Sequence, residues 1–220
     1  MLNISNITLN TYKRLIILNN LGHIYIIDDD ASMRSSLSRM LDSYGYSSEA
    51  HERAEDFLEQ SIPVSPAAVL LDMRMPTMTG IELQMKLNSM GRQTPIIFIS
   101  GESMPHEIVT SMKQGAIDFL LKPFNLDDLL KSIGNAIERD KLVFESLTQS
   151  LSVKQKFDSL TPREKEVFVL LVQGLMNKDI AVQLGTTDAT IKVHKSRVMD
   201  KMKADSLQEL VRQSALIKNK

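Results

Sequence analysis

Ile24-Tyr25-Ile26-Ile27 runs straight into Asp28-Asp29-Asp30, and this abrupt change from apolar to acidic decides the fold. Three later runs end the same way: Val69-Leu70-Leu71 in Asp72, Ile96-Ile97-Phe98-Ile99 in Ser100, and Phe119-Leu120-Leu121 in Lys122-Pro123. Short apolar runs bounded by turn residues read as fully buried strands. Helical spacing fills the gaps, as in Met33, Leu37, Met40 and Leu41 closed by Gly45, or Ile81, Leu83, Met85 and Leu87 after Gly80. A weak strand near 46–50 and a short helix around 54–60 complete the alternation. Five β-α units predict an α/β fold, a doubly wound five-stranded parallel sheet. Ligands of such sheets bind outside the carboxyl ends of the strands. The pattern therefore gathers three carboxylates, a hydroxyl and an ammonium at one edge.

From Ser159 the chain becomes all-helical. Thr161-Pro162-Arg163-Glu164 supplies a capping residue, proline at the first helical position and acid in the first turn. Gly174 ends that helix, 177–184 is a second stopped by Gly185, 188–202 a third, and 206–217 a fourth. The two helices joined through Gly185 have the short-turn geometry of a helix-turn-helix, whose second helix enters the major groove. Lys192, Lys195, Arg197, Lys201 and Lys203 crowd that second helix and its end, against Asp188 and Asp200. Residues 139–158 hold neither Gly nor Pro and read as a helical linker. The expected organisation is thus a sheet domain over 22–138, a helical linker over 139–158, and a small all-α, four-helix domain over 159–220. Residues 1–21 read as a flexible extension, or as sequence ahead of the true start.

The net charge of −1 conceals an asymmetry. Residues 159–220 carry 11 Lys+Arg against 7 Asp+Glu, whereas 22–158 carry 13 against 20. An acidic module is joined to a basic one that can meet nucleic acid. Zero cysteine excludes disulfides, thiolate catalysis and cysteine-ligated zinc. His23, His51, His106 and His194 are scattered and show no metal-ligand spacing. No apolar stretch approaches the roughly 20 residues of a membrane span, so no membrane partner is expected.

The strand-end residues suit phosphoryl transfer, which proceeds by positioning and by neutralising charge. A hard cation such as Mg²⁺ takes one or two carboxylates and keeps several waters. Asp28, Asp29 and Asp72 meet that demand, Lys122 supplies a mobile positive charge, and Ser100 a hydroxyl. Each could be ordinary strand-end or helix-cap chemistry alone; their joint occurrence at consecutive strand ends argues for a site.

The segment 22–138 resembles the receiver domains of two-component response regulators. The resemblance rests on Asp28-Asp29, Leu71-Asp72-Met73-Arg74-Met75-Pro76, Gly80, Ser100-Gly101, Gly115-Ala116, Asp118-Phe119 and Lys122-Pro123-Phe124. It implies a flavodoxin-like fold in which Asp72 is the phosphoacceptor, taking phosphate from a sensor histidine kinase. Asp29 and Asp72 would bind Mg²⁺ directly, Asp28 through water, and Arg74 through its backbone carbonyl. Ser100 and Lys122 would contact the phosphoryl group, Ser100 and Phe119 would form the switch pair, and Lys122-Pro123 would be cis. Arg74 and Glu102, each two residues past a site residue, are expected to pair across the site mouth.

The C-terminal segment resembles the LuxR-type domain of FixJ/NarL-class regulators, through Leu160-Thr161-Pro162-Arg163-Glu164, Gly174, Asn177-Lys178, Ile180-Ala181, Leu184 and Thr190-Ile191-Lys192-Val193-His194. The resemblance implies DNA contacts from Thr190, Lys192, Val193, His194, Lys195 and Arg197, with the last helix supporting dimerisation. The expected protein is a cytoplasmic response regulator that forms a homodimer on phosphorylation and binds promoter DNA, with RNA polymerase a further partner. It would catalyse only its own phosphorylation and dephosphorylation. Two alternatives remain at this stage. Asp28-Asp29-Asp30 also resembles the Asp-x-Asp start of haloacid-dehalogenase-like phosphatases, and a receiver can serve as a constitutive scaffold without phosphate.

Overall fold

In the computed structural model, which describes residues 21–59 and 65–218, the strands are β1 (His23–Ile27), β2 (Ser47–His51), β3 (Ala67–Asp72), β4 (Ile96–Ser100) and β5 (Asp118–Leu121). They form one parallel sheet in the order β2-β1-β3-β4-β5. The sequence reading of 1–20 falls outside the described residues, as does Gln60, where the short second helix was expected to end.

Alternation along the strands sorts side chains onto two faces. Tyr25, Ile27, Val69, Leu71, Ile96 and Phe98 share one face with Phe57, Leu83 and Leu87. These last three come from α2 (Ala54–Glu59) and α3 (Gly80–Ser89). Ile24, Ile26, Ala68, Leu70, Ile97 and Ile99 face the other way, toward Leu37, Leu41, Leu129 and Ile133. Those belong to α1 (Ala31–Ser43) and α5 (Leu126–Asp158). Every residue of β3 is buried, and each large side chain among them contributes about 1.5–3 kcal/mol. β2 is an edge strand with polar, half-exposed side chains, which explains its weak sequence signal. The remaining sheet-domain helix is α4 (Pro105–Lys113).

The second unit holds α6 (Pro162–Val172), α7 (Asn177–Gln183), α8 (Asp188–Met202) and α9 (Leu207–Lys218). Val167, Phe168, Leu171, Ile180, Ile191, Val198, Met202 and Leu210 build its core. The α7–α8 turn passes through Gly185 at φ 62°, a conformation that costs glycine nothing.

One feature of the linker differs from the sequence reading. A single 33-residue helix, α5, runs from Leu126 to Asp158, where the sequence reading ended one helix near Ile137 and began a linker at 139. Chain contacts divide within it, at Phe144 and Glu145. Val153 is buried in the core of the second unit and Phe157 packs against the same core, ring against Phe168 at 5.1 Å. Their i, i+4 spacing puts both on one helix face, so the last turns of α5 are core rather than spacer.

Candidate functional site

Three strand ends converge on one ammonium. Lys122 Nζ, just past β5, lies 3.1 Å from Asp28 Oδ2 and 2.9 Å from Asp72 Oδ1. Asp28 follows β1, Asp72 closes β3, and both are buried. Their other oxygens are held by backbone: Asp30 N–H donates to Asp28 Oδ1 at 2.8 Å, and Arg74 N–H to Asp72 Oδ2 at 2.6 Å. The chain reverses tightly beside Asp72, because Gly80 packs with its Cα against the Asp72 carbonyl; a Cβ there would lie 2.6 Å from that oxygen.

Burial pushes the Asp72 carboxyl above its ordinary range, opposed by the hydrogen bonds from Lys122 and the Arg74 amide. Burial would lower Lys122, but the two carboxylates outweigh it and its pKa is raised. The two carboxyl groups therefore hold Lys122 in its charged form, and its ammonium in turn fixes an oxygen of Asp72 at the sheet edge.

The acidic triplet divides into three roles. Asp28 enters the site. Asp30 caps α1, its side chain accepting from the Ser32 and Met33 amides, and the Ser32 hydroxyl and amide hold its carboxyl below the usual range. Asp29 stands exposed between them. Among the described residues no cluster of three or more acidic or histidine side chains is close enough to hold a metal, so the expected three-carboxylate group is a buried pair with an exposed neighbour. The donors are all oxygen, the set a hard cation takes when it retains several waters. Asp28, Asp72 and exposed Asp29 fit such an ion in kind.

Ser100 is fully buried, its hydroxyl donating to the Glu102 carbonyl at 2.8 Å and accepting from Ser103 at 2.8 Å. Phe119 is half-buried and stacks on Phe98 at 5.9 Å, and its amide is fixed by Asp118 Oδ1 at 2.8 Å. Lys122–Pro123 is cis, as the resemblance implied, and so is Ser65–Pro66. The expected Arg74–Glu102 pair is corrected: Arg74 Nη2 lies 3.0 Å from Glu107 Oε2 instead. Glu107 sits in the first turn of α4, where its carboxylate also accepts from the Met104 amide at 2.8 Å. Met104 has no side-chain cap to offer, so the third-position acid supplies it and faces the Asp72 loop. Glu102 is exposed in the β4–α4 loop, and the Ser100 bond falls on its backbone.

In the helical unit, Thr187 caps α8 by accepting from the Thr190 amide. Ile191, Val198 and Met202 form its buried stripe. Thr190, Lys192, Val193 and Arg197 are exposed, while His194 and Lys195 are half-buried on the flanks. Ser196 shares the exposed arc. The Thr190 hydroxyl already meets Thr187, and Lys192 pairs with Asp188 at 2.9 Å across the surface, a weak contact.

A parallel sheet with paired acids and a lysine at its carboxyl edge, followed by a helix-turn-helix, defines a phosphoryl-responsive DNA-binding class. Comparison with known families agrees. Residues 24–134 match the response regulator receiver domain, and 158–214 match the bacterial regulatory proteins of the luxR family. The chain belongs to the response regulators that join a receiver to a LuxR-type DNA-binding domain. It is similar to the response regulator protein TmoT of Ectopseudomonas mendocina, 39% identical over 196 residues and covering 89% of each chain. It is 40% identical over 191 residues to the transcriptional regulatory protein FixJ of Bradyrhizobium diazoefficiens, covering 87% of this chain and 93% of that one. Among solved structures, the response regulator StyR aligns with a TM-score of 0.80 at 38% identity, over 88% of this chain and 98% of that one. The phosphatase alternative is set aside by this membership. Among the described residues no helix is long and apolar enough to cross a membrane.

Proposed function

We propose that Asp72 accepts a phosphoryl group from a sensor histidine kinase, and that its phosphorylation controls pairing of two copies and binding to promoter DNA in the cytoplasm. The observation that carries this reading is Lys122 Nζ bridging buried Asp28 and Asp72 at the carboxyl edge of the sheet. In the step proposed, a carboxylate oxygen of Asp72 attacks phosphorus, the P–N bond of the kinase phosphohistidine breaks, and the imidazole leaves. Bound Mg²⁺ would neutralise charge on the phosphoryl oxygens, held by Asp29 and Asp72, by Asp28 through water, and by the Arg74 carbonyl.

Lys122 remains paired with Asp28 and presents its charge to the group arriving on Asp72. Ser100 leaves the Glu102 carbonyl to donate to a phosphoryl oxygen, and Phe119 follows by re-stacking against Phe98. Such a shift needs the phosphoryl group to favour one of two packings. On DNA, Lys192, Lys195 and Arg197 meet phosphates or base edges, and half-exposed Val193 offers an apolar contact for a thymine methyl. Thr190 and His194 border this surface. α9 leaves Leu207 and Val211 exposed one turn apart, a stripe for a second copy, and a dimer predicts twofold operator symmetry. RNA polymerase is a further partner at the promoter.

The test combines mass spectrometry with occupancy mapping. A small phosphoryl donor with Mg²⁺ should add one phosphoryl group to the wild type and none to Asp72→Asn. Genome-wide binding should weaken in that variant. Phosphorylation retained without Asp72, or equal occupancy in both proteins, refutes the reading.

A further inference from the structure

Every polar group of Asp28 is held. Its amide donates to the His51 carbonyl at 3.3 Å, and its carboxylate oxygens take the Asp30 amide at 2.8 Å and Lys122 Nζ at 3.1 Å. Its carbonyl accepts from Arg34 Nη1 at 2.7 Å. The first three bonds belong to the sheet edge and the lysine bridge. The fourth comes from a residue that the phosphoryl reading leaves unused.

Arg34 reaches Asp28 because of where α1 begins. Asp30 caps that helix, and the Arg34 amide closes its first turn on the Asp30 carbonyl at 3.0 Å. Side chains on a helix lean toward its N-terminus, so the fourth residue of α1 points back over the cap to the end of β1. The Arg34 side chain is 16% exposed, and its Nη2 lies 3.6 Å from Glu52, just past β2. Glu52 is mostly in water, so that pair is weak. The bond to the carbonyl is the stronger contact, since a charged donor shortens and strengthens a hydrogen bond.

That carbonyl belongs to the peptide joining Asp28 to Asp29. A peptide is planar, so a grip on its oxygen also fixes the direction in which the chain leaves toward Asp29. Among the described residues, Arg34 makes its ion pair with Glu52 and not with either acid. Such rigidity matters unequally to different cations. Mg²⁺ demands near-octahedral ligands at about 2.0–2.1 Å, whereas Ca²⁺ accepts flexible arrangements at about 2.3–2.6 Å.

We infer that Arg34 is a positioning residue of the metal site: by holding the Asp28–Asp29 peptide it favours Mg²⁺ over a larger divalent cation. The inference rests on the reading of Asp28 and Asp29 as Mg²⁺ ligands. Charge alone predicts the opposite effect, since a guanidinium beside the acids repels any divalent cation. Its removal would then strengthen Mg²⁺ and Ca²⁺ binding alike, whereas loss of a positioning group weakens Mg²⁺ selectively.

The test titrates the ¹⁵N-labelled full chain with MgCl₂, and separately with CaCl₂, at fixed ionic strength. Two-dimensional NMR follows the backbone amides of 28–30 and 72–74. Arg34→Met keeps the aliphatic stem and loses the guanidinium, and its unfolding midpoint without metal checks that it folds. It should bind Mg²⁺ about tenfold more weakly than wild type, as for other groups that orient metal ligands. Ca²⁺ affinity should change less than about threefold. Arg34→Lys, the milder variant, keeps the charge and a single donor head without the planar fork. Its Mg²⁺ affinity should lie between the two, with the preference for Mg²⁺ over Ca²⁺ below that of wild type. Mg²⁺ affinity in Arg34→Met at or above wild type, or an unaltered preference in either variant, overturns the inference. A wild type with no saturable Mg²⁺ response at these amides overturns the metal reading itself, and the inference falls with it.

Discussion

The same substitution, glycine to alanine, should act with opposite sign at two positions of the receiver. At Gly80, the first residue of α3, a Cβ would lie 2.6 Å from the Asp72 carbonyl oxygen, 2.8 Å from Phe98 Cε1 and 3.2 Å from Leu71 Cγ. Ordinary contacts begin near 3.5 Å, so the backbone must yield by close to an ångström, next to the residue that carries the site. Overpacking of this kind costs about 1–3 kcal/mol. At Gly134, exposed in the interior of α5, a Cβ meets nothing within 4 Å. Alanine there should gain about 0.8–1 kcal/mol of helix propensity.

With a urea slope of about 1–3 kcal/mol/M, the midpoint should fall by roughly 1 M in Gly80→Ala and rise by roughly 0.5 M in Gly134→Ala. The chain offers a built-in probe. It has no tryptophan, and its four tyrosines stand at 12, 25, 44 and 46, so tyrosine fluorescence of the full chain reports the N-terminal unit alone. A Gly80→Ala midpoint at or above wild type, or a shift of both variants in one direction, refutes the packing argument.

Asp72→Asn should stabilise the receiver at neutral pH. Burial raises the folded-state pKa of Asp72 above its unfolded value, so the folded chain binds the proton more tightly and stability declines as pH rises through that window. The charge is then a net cost at pH 7, and the wild-type deficit should close when urea midpoints are measured below the ordinary carboxylate range; a less stable Asn variant at pH 7 contradicts this. Glu164→Gln should act in the opposite sense on the helical unit. Lys201 Nζ, 2.6 Å from Glu164 Oε2, and the Thr161 amide hold that carboxyl down to about 2. Its contribution is present above the ordinary carboxylate range and lost as pH falls toward about 2. Lys201 is partly in water, so the loss at neutral pH is put at about 1–2 kcal/mol. Amide exchange in α6 and α8 measures it, and unchanged protection at neutral pH would count against the pair.

The strand ends were legible because β1, β3 and β4 are buried on both faces, and their apolar runs stop where the chain leaves the sheet. Asp28, Asp72 and Ser100 follow from that rule; Lys122 stands past β5, an edge strand that is only half-buried, whose apolar run Phe119-Leu120-Leu121 still marks its end. Asp30 was not separable from Asp28 in the sequence; only the start of α1 decides which acid caps and which turns inward. The partner of Arg74 was missed for a similar reason. Glu102 is nearer in sequence, but α4 places Glu107 at its third position, pointing back over the Asp72 loop. The end of α8 gave no glycine signal, because Lys203 takes the left-handed conformation at φ 54° itself. The core role of Val153 and Phe157 was present as an i, i+4 pair, hidden in a polar stretch.

Glu107 Oε2 serves two donors at once, the Arg74 guanidinium and the Met104 amide. The first turn of α4 thus borrows its only acid cap from a side chain that also answers to the loop carrying Asp72. If Arg74 is drawn toward a new anion, Glu107 is left to the helix alone; if Glu107 follows, the helix frays. Solvent exchange of a few backbone amides near residue 105 then becomes a label-free gauge of events at a carboxylate those amides never touch.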